Sequence, residues 1–196
     1  MNPWKNIELE DYETHMGSEK IFQLQTLNAI MAEQMKYAPR AVAVLGAAGG
    51  NGFEHLNTAD EIYAVDINES FLKQCANRHD YLGDKLRLVH ADLNQAVLPP
   101  CDLLICNLII EYLGIKAFAA LLERSKFNIV SCVIQRNHGE SFVSPSKTAE
   151  KLKPLGDFHH DIDEEELTKS LKLKTIFRNS HPLPNNKEFI RIDFNS

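Results

Sequence analysis

Between Ala41 and Asp66 the chain reads AVAVLGAAGGNGFEHLNTADEIYAVD, and the residue types in this stretch can act together on one ligand. Glycines at 46, 49, 50 and 52 permit sharp main-chain turns with positive φ and bring bare N–H groups close to a bound molecule. Asp66 closes the second apolar run twenty positions after Gly46, where strand, glycine turn and strand units grip a ribose. A buried parallel strand reads as a continuous apolar run, as 41–45 and 62–65 do. The dinucleotide fingerprint G-x-G-x-x-G fits in no frame here, and no Lys with Ser or Thr follows the glycines as a P-loop requires. Between Arg40 and Lys73 the only side chain that can become cationic is His55. A phosphate ligand is therefore disfavoured, although backbone N–H groups alone can hold one.

The common nucleoside ligand that remains is S-adenosylmethionine, which has no phosphate and whose sulfonium a nearby Lys or Arg would repel. Four segments resemble, in order and spacing, the successive motifs of class I S-adenosylmethionine-dependent methyltransferases. They are Gly46-Ala47-Ala48-Gly49-Gly50-Asn51-Gly52, Asp66-Ile67, His90-Ala91-Asp92-Leu93 and Cys101-Asp102-Leu103-Leu104-Ile105-Cys106-Asn107. The likeness covers residues 41–135. It implies that the backbone of Gly46, Ala47, Ala48 and Gly50 faces the methionine end and ribose, and that Asp66 takes both ribose hydroxyls. Ile67 would lie on one adenine face, Asp92 would accept from the adenine amino group with Leu93 beside it, and Asn107 and Leu108 would line the cofactor. Plainer readings stand next to these: Asp66 as the cap of the following helix, Asp92 as a turn former.

Two departures from the family pattern carry expectations of their own. Val44 stands where the family often has an acid, so that contact must be absent or supplied elsewhere. Ala48 replaces the second glycine, which is tolerable only with a negative φ. Asn107 matches the first residue of an N-P-P-Y motif, but Leu108-Ile109-Ile110 follow, so a planar amide or base acceptor loses its stacking partner. Methyl transfer is an in-line displacement that needs chiefly alignment. A base is required only if the acceptor carries a proton. The candidates are His15, Glu111 and His138, and none is marked by a pattern.

These residues need a sheet to position them. The chain has 196 residues, enough for one domain with a proper core, with 44% hydrophobic and 24% charged residues. A net charge of −6 argues against a general nucleic-acid surface. The start, MNPWKNIELEDYE, lacks the apolar core of a signal peptide, and no run approaches the ~18 to 20 apolar residues of a membrane span, so a cytoplasmic protein without membrane attachment is expected. Cysteines 75, 101, 106 and 132 form no C-x-x-C pair and read as buried thiols rather than metal ligands.

Apolar spacing predicts a short helix broken near Gly17, then a helix over 18–37 that Ser18 could cap. A helix from Asn68 or Glu69 to about Leu82 should end at Gly83. The third strand covers 86–91, and 93–100 are too few for a full crossover helix. The fourth strand covers 102–106, an amphipathic helix 111–125, and the fifth strand 129–134, whose end delivers Gln135, Arg136, Asn137 and His138. Two helices are expected in 139–170, the second starting at the acidic run 161–166. Segments 171–178 and 187–194, separated by Pro182, Pro184 and Asn185-Asn186, read as an antiparallel pair.

The resemblance implies a doubly wound, Rossmann-like α/β fold with a seven-stranded sheet of order 3-2-1-4-5-7-6 and an antiparallel last strand. Residues 1–40 would form a helical cap on a domain of 41–196, within one folding unit. The cap puts Tyr12 and His15 near the site, and with the 137–170 insert it would cover a small-molecule substrate. Dimerisation through the apolar leading helices is a further expectation. Val44, Ala48 and the absence of a marked base also suit a catalytically silent protein binding S-adenosylmethionine or S-adenosylhomocysteine. The strand, glycine loop and Asp66 taken alone suit a nicotinamide-dependent oxidoreductase, against which the loop frame and the terminal hairpin both argue.

Overall fold

The computed structural model describes residues 2–184 and 186–196. Its strands are β1 (Ala41–Leu45), β2 (Glu61–Asp66), β3 (Leu86–His90), β4 (Cys101–Asn107), β5 (Phe127–Asn137), β6 (Lys174–Leu183) and β7 (Lys187–Asn195). They form one sheet in the order β3-β2-β1-β4-β5-β7-β6. The first five run parallel, and β7 lies antiparallel between β5 and β6. The expected architecture and strand order are thus observed.

Strand alternation sorts the core onto two faces. Val42, Val44, Ile62, Ala64, Leu103 and Ile105 pack with residues from α2 (Gln23–Gln34), the 3-10 helix Phe53–Thr58 and α3 (Glu69–Arg78). Ala43, Leu45, Val65, Leu104, Cys106 and Val130 pack on the other face, against α5 (Ile115–Glu123) and α7 (Glu164–Leu171). Because both faces are covered, β1 is apolar at every position. All four cysteines are buried and free. Among the described residues no helix is long and apolar enough to cross a membrane.

Three helix expectations are corrected. The 18–37 helix begins only at Gln23, because Phe22 adopts φ 57° and Ser18 donates its hydroxyl to the His15 carbonyl at 3.0 Å, closing α1 (Leu9–Met16) instead of capping α2. α3 stops at Arg78, and a 3-10 stretch Asp80–Lys85 with Gly83 at φ 54° follows. The 111–125 helix is two, α4 (Ile110–Leu113) and α5, split where Gly114 takes φ 74°. The insert does hold two helices, α6 (Ala149–Gly156) and α7, and Asp163 caps the latter by accepting from the Glu166 N–H at 2.8 Å. β6 runs through Pro182, which an edge strand tolerates. Asn185 lies outside the described residues.

Under the sheet, a buried polar network joins α2 to β4, β5 and β7. Asp193, fully buried, accepts from the Ser131 hydroxyl at 2.5 Å, the Tyr37 hydroxyl at 2.8 Å and two guanidinium nitrogens of Arg191 at 3.0 and 2.5 Å. Gln34 donates to Ser131 at 2.8 Å and to the Asn107 carbonyl oxygen at 2.9 Å. Removing one member of a buried ion pair strands the other charge, at a cost of about 3 to 5 kcal/mol. Asp193→Ala should therefore lower the urea midpoint by about 1 M or more, followed by circular dichroism. Asp60→Ala, which breaks the exposed Arg40–Asp60 pair, should leave the midpoint unchanged.

Candidate functional site

The glycine turn and the end of β2 are joined by direct bonds. The N–H groups of Gly46 and Ala47 both donate to the Val65 carbonyl, at 2.9 and 3.1 Å. The Ala48 N–H donates to Asp66 Oδ2 at 2.9 Å, and the Asn68 N–H donates to Oδ1 at 2.8 Å. Reaching Asp66 requires a left-handed turn, and Ala48 adopts φ 46°. The negative φ expected for an alanine at this position is thereby corrected: orienting the carboxylate outweighs the Cβ penalty of roughly 1 to 2 kcal/mol. Asp66 is buried. Burial raises its pKa above the ordinary carboxylate value, while the N–H bonds from Asn68, Ala48 and Ile67 oppose the rise.

Val44 lies in the core. The carboxylate that approaches the loop is instead that of Glu13 from α1, held in a two-point pair by Arg78 of α3. A Cβ at Gly49 would meet both side chains at 2.5 Å, which accounts for a glycine there.

Above the strand ends lies a cavity, part of it open to solvent. Gly46, Ala48, Asp66, Ile67, Asp92, Leu93, Asn107 and Leu108 line it on the sheet side. Ala47 and Gly50 do not: Ala47 packs into the core, and Gly50 faces Cys75 and His79. Asp92 Oδ1 accepts from the main-chain N–H and side-chain amide of Asn94, both at 3.0 Å, so one of its oxygens shapes the turn. The Asn107 amide is paired head to head with Gln34, whose Oε1 accepts from Asn107 Nδ2 at 3.3 Å.

The roof comes from the N-terminus and the insert. Trp4 makes edge-to-face contacts with Tyr12 and Tyr112 at centroid distances of 5.5 and 4.9 Å, and Tyr112 meets Phe142 at 6.0 Å. Asn68 holds the N-terminal segment down by donating to the carbonyls of Trp4 and Ile7, at 2.9 and 3.2 Å. The Trp4 indole N–H is buried without an acceptor. His15 lines the cavity, with Nδ1 2.6 Å from the Ser146 hydroxyl. Burial and the nearby Lys187 push its pKa down to about 4, so the ring is neutral near pH 7. Gln23 donates to Gln135 Oε1 at 2.5 Å on the same wall.

The other two candidate bases lie outside the cavity. His138 is on the surface beside Glu188. Glu111 is buried, with Oε1 accepting from the Gln135 N–H at 2.8 Å and Oε2 unpartnered. Sequence patterns missed Trp4, Phe142 and the inward role of Gln23. An isolated tryptophan and a loop phenylalanine carry no periodic signal, whereas Gln135 was legible as a strand-end residue.

Burial raises the Glu111 pKa from 4.5 to about 7. The advantage of its neutral form in the folded state is fully present below 4.5 and is lost as pH rises through 7. At about 1.4 kcal/mol per pH unit this amounts to roughly 3 kcal/mol, and Glu111→Gln should remove that part of the pH dependence in urea melts between pH 4.5 and 8. Ala48→Gly should relieve the left-handed strain by more than the added chain entropy costs. Its melting temperature should rise by about 2 °C in calorimetry.

No protein-family model matches the chain, and neither does any curated protein. Solved structures do. Magnesium protoporphyrin IX methyltransferase (ChlM) from Synechocystis PCC 6803, with bound SAM, superposes with a TM-score of 0.71 at 12% identity over 98% of this chain and 93% of that one. N-methyltransferase NodS from Bradyrhizobium japonicum WM9, in complex with S-adenosyl-L-homocysteine, gives a TM-score of 0.67 at 10% identity over 100% and 99%. Identities this low speak to architecture alone, and on that level the chain has the fold of the class I methyltransferases.

Proposed function

We propose that this chain is an S-adenosylmethionine-dependent methyltransferase acting on a small-molecule acceptor. The observation that carries the reading is the Asp66 carboxylate, oriented by the Ala48 and Asn68 N–H groups on the wall of a cavity roofed by aromatic rings. Oδ2 accepts from the Ala48 N–H and Oδ1 from the Asn68 N–H, and a carboxylate with about four acceptor positions keeps capacity for an adjacent hydroxyl. No Lys or Arg is among the described lining residues, which suits a sulfonium. Gly46, Ala48, Asp66, Ile67, Asp92, Leu93, Asn107 and Leu108 would hold the cofactor, which when bound supplies an activated methyl carbon. The chain's own part is to fix the sugar through Asp66, to keep water out with Trp4, Tyr12, Tyr112 and Phe142, and to align an acceptor beneath that roof. An enclosed roof of this kind favours a small acceptor over a polymer.

A second reading, a silent S-adenosylmethionine or S-adenosylhomocysteine binder, draws on the weak basicity of His15. Turnover of the cofactor during incubation with a metabolite mixture would count against it. The nicotinamide reading is disfavoured by the antiparallel β7, since a dinucleotide-binding sheet continues parallel.

Calorimetry should give micromolar binding of both S-adenosylmethionine and S-adenosylhomocysteine, and no heat with either would remove the proposal. Charge-assisted bonds contribute roughly 1.5 to 3 kcal/mol each. Asp66→Ala should therefore weaken S-adenosylhomocysteine by about a hundredfold or more while the far-ultraviolet spectrum stays native.

A further inference from the structure

The cavity extends well past the ribose end. Asp66 closes β2 and Gln135 lies near the end of β5, three strand spacings away in the order β2-β1-β4-β5, which is about 14 Å at ~4.8 Å per strand. Both residues line the cavity, and at the far end they are joined by Phe142 and Val143 and by Met16, which packs with Val133 of β5. A chain of amides fixes what this far end offers. Gln135 Nε2 donates to the Asn137 side-chain oxygen at 2.7 Å and to the Phe142 carbonyl at 3.4 Å, and Lys187 Nζ holds the same carbonyl at 2.8 Å. A main-chain carbonyl only accepts, so the nitrogen of Gln135 must face it and the oxygen must face Gln23. Gln23 in turn donates from Nε2 to Gln135 Oε1 at 2.5 Å, which commits its nitrogen and leaves its own Oε1 as the group still to be matched. Among the described residues that bond is the one its side chain makes, although Gln23 lines the cavity and is only 4% exposed. The backbone just before it is strained. Phe22 is 44% exposed and gains little by packing, yet it takes the left-handed φ of 57° from which α2 starts with Gln23 as its first residue. Strain of this kind gathers where a side chain has to be aimed.

We infer that Gln23 is the specificity-determining residue for the methyl acceptor, its Oε1 accepting a hydrogen bond from a hydroxyl or N–H group carried on an apolar frame. The inference rests on the methyltransferase reading and adds to it a chemical class of acceptor and the residue that reads it. A buried amide oxygen without a donor is costly, and the cost falls on any ligand that covers it without supplying one. A site built this way rejects an analogue lacking the donor more strongly than a purely apolar pocket rejects a change of one methylene. Met16, Phe142 and Val143 supply the apolar surface against which the frame of such a molecule lies.

The test uses 2-naphthol and 2-fluoronaphthalene, which are nearly equal in shape and of which only the first carries a donor. Each is measured by equilibrium dialysis at pH 7 against the full chain, both alone and saturated with S-adenosylhomocysteine. 2-Naphthol should bind about tenfold tighter, the worth of one buried hydrogen bond. Gln135→Met, which leaves the Gln23 amide in place, should keep this preference. The double substitution Gln23→Met with Gln135→Met removes both amides together, so that neither is stranded, and should bring the two probes to within about twofold of each other. A ratio taken within one protein is insensitive to a general loss of folded material. Equal or weaker binding of 2-naphthol by the wild-type chain, no binding of either probe, a preference already lost in Gln135→Met, or one that survives the double substitution overturns the inference. Failure of S-adenosylhomocysteine to bind the wild-type chain tells instead against the methyltransferase reading, because the preference for a donor is also read without it.

Discussion

Asp66 is the point on which the site depends. A carboxylate at the end of a central parallel strand leaves water on folding, and burial of that kind is tolerated only with hydrogen bonds to replace the lost hydration. Here the replacements are main-chain N–H groups from two directions, Ala48 in the glycine turn and Asn68 at the start of α3. One charge therefore holds three segments of chain in a fixed relation. The left-handed alanine is a consequence of this demand. Asn68 extends the same construction outward, capping α3 through its side-chain oxygen and holding the N-terminal segment through its amide nitrogen.

Beneath the sheet a second set of buried polar groups serves the site indirectly. Asp193 and Arg191 on β7, Ser131 on β5, Gln34 on α2 and Asn107 at the end of β4 form a continuous path of hydrogen bonds. Every polar atom named in that path has a partner, as buried groups require. Its effect at the cavity is to engage the Asn107 amide with Gln34. A side chain whose donor and acceptor are both committed makes a firm wall and a poor direct ligand for a substrate amide, which agrees with the absence of the proline and aromatic residues after Asn107.

The roof has a different physical character. It is made of aromatic contacts between residues far apart in the chain, with Trp4, Tyr112 and Phe142 drawn from three separate segments. The loop carrying Phe142 is fixed by Lys187, Gln135 and, through Ser146, His15. Two of these anchors are titratable groups whose charged forms burial disfavours. Burial lowers Lys187 to about 8 and His15 to about 4, and the charge of Lys187 adds to the lowering at His15.

Much of the architecture was legible in the residues themselves. Continuous apolar runs marked the parallel strands because both sheet faces are covered, and the glycines with Asp66 twenty positions on marked the turn and the strand end. Helix ends were read less well. Phe22, Gly83 and Gly114 take left-handed backbone because of where the chain has to go next, and only tertiary packing sets that direction. The conformation of Ala48 was misjudged for the same reason, since local sterics favour negative φ and the distant carboxylate reverses the preference. The roof, the commitment of Asn107 to Gln34 and the placement of His15 inside the cavity and His138 outside it were decided by the fold alone. Local patterns record which face of an element is apolar, whereas a cavity is defined by which side chains from separate elements meet, and that is settled only when the sheet and its helices pack.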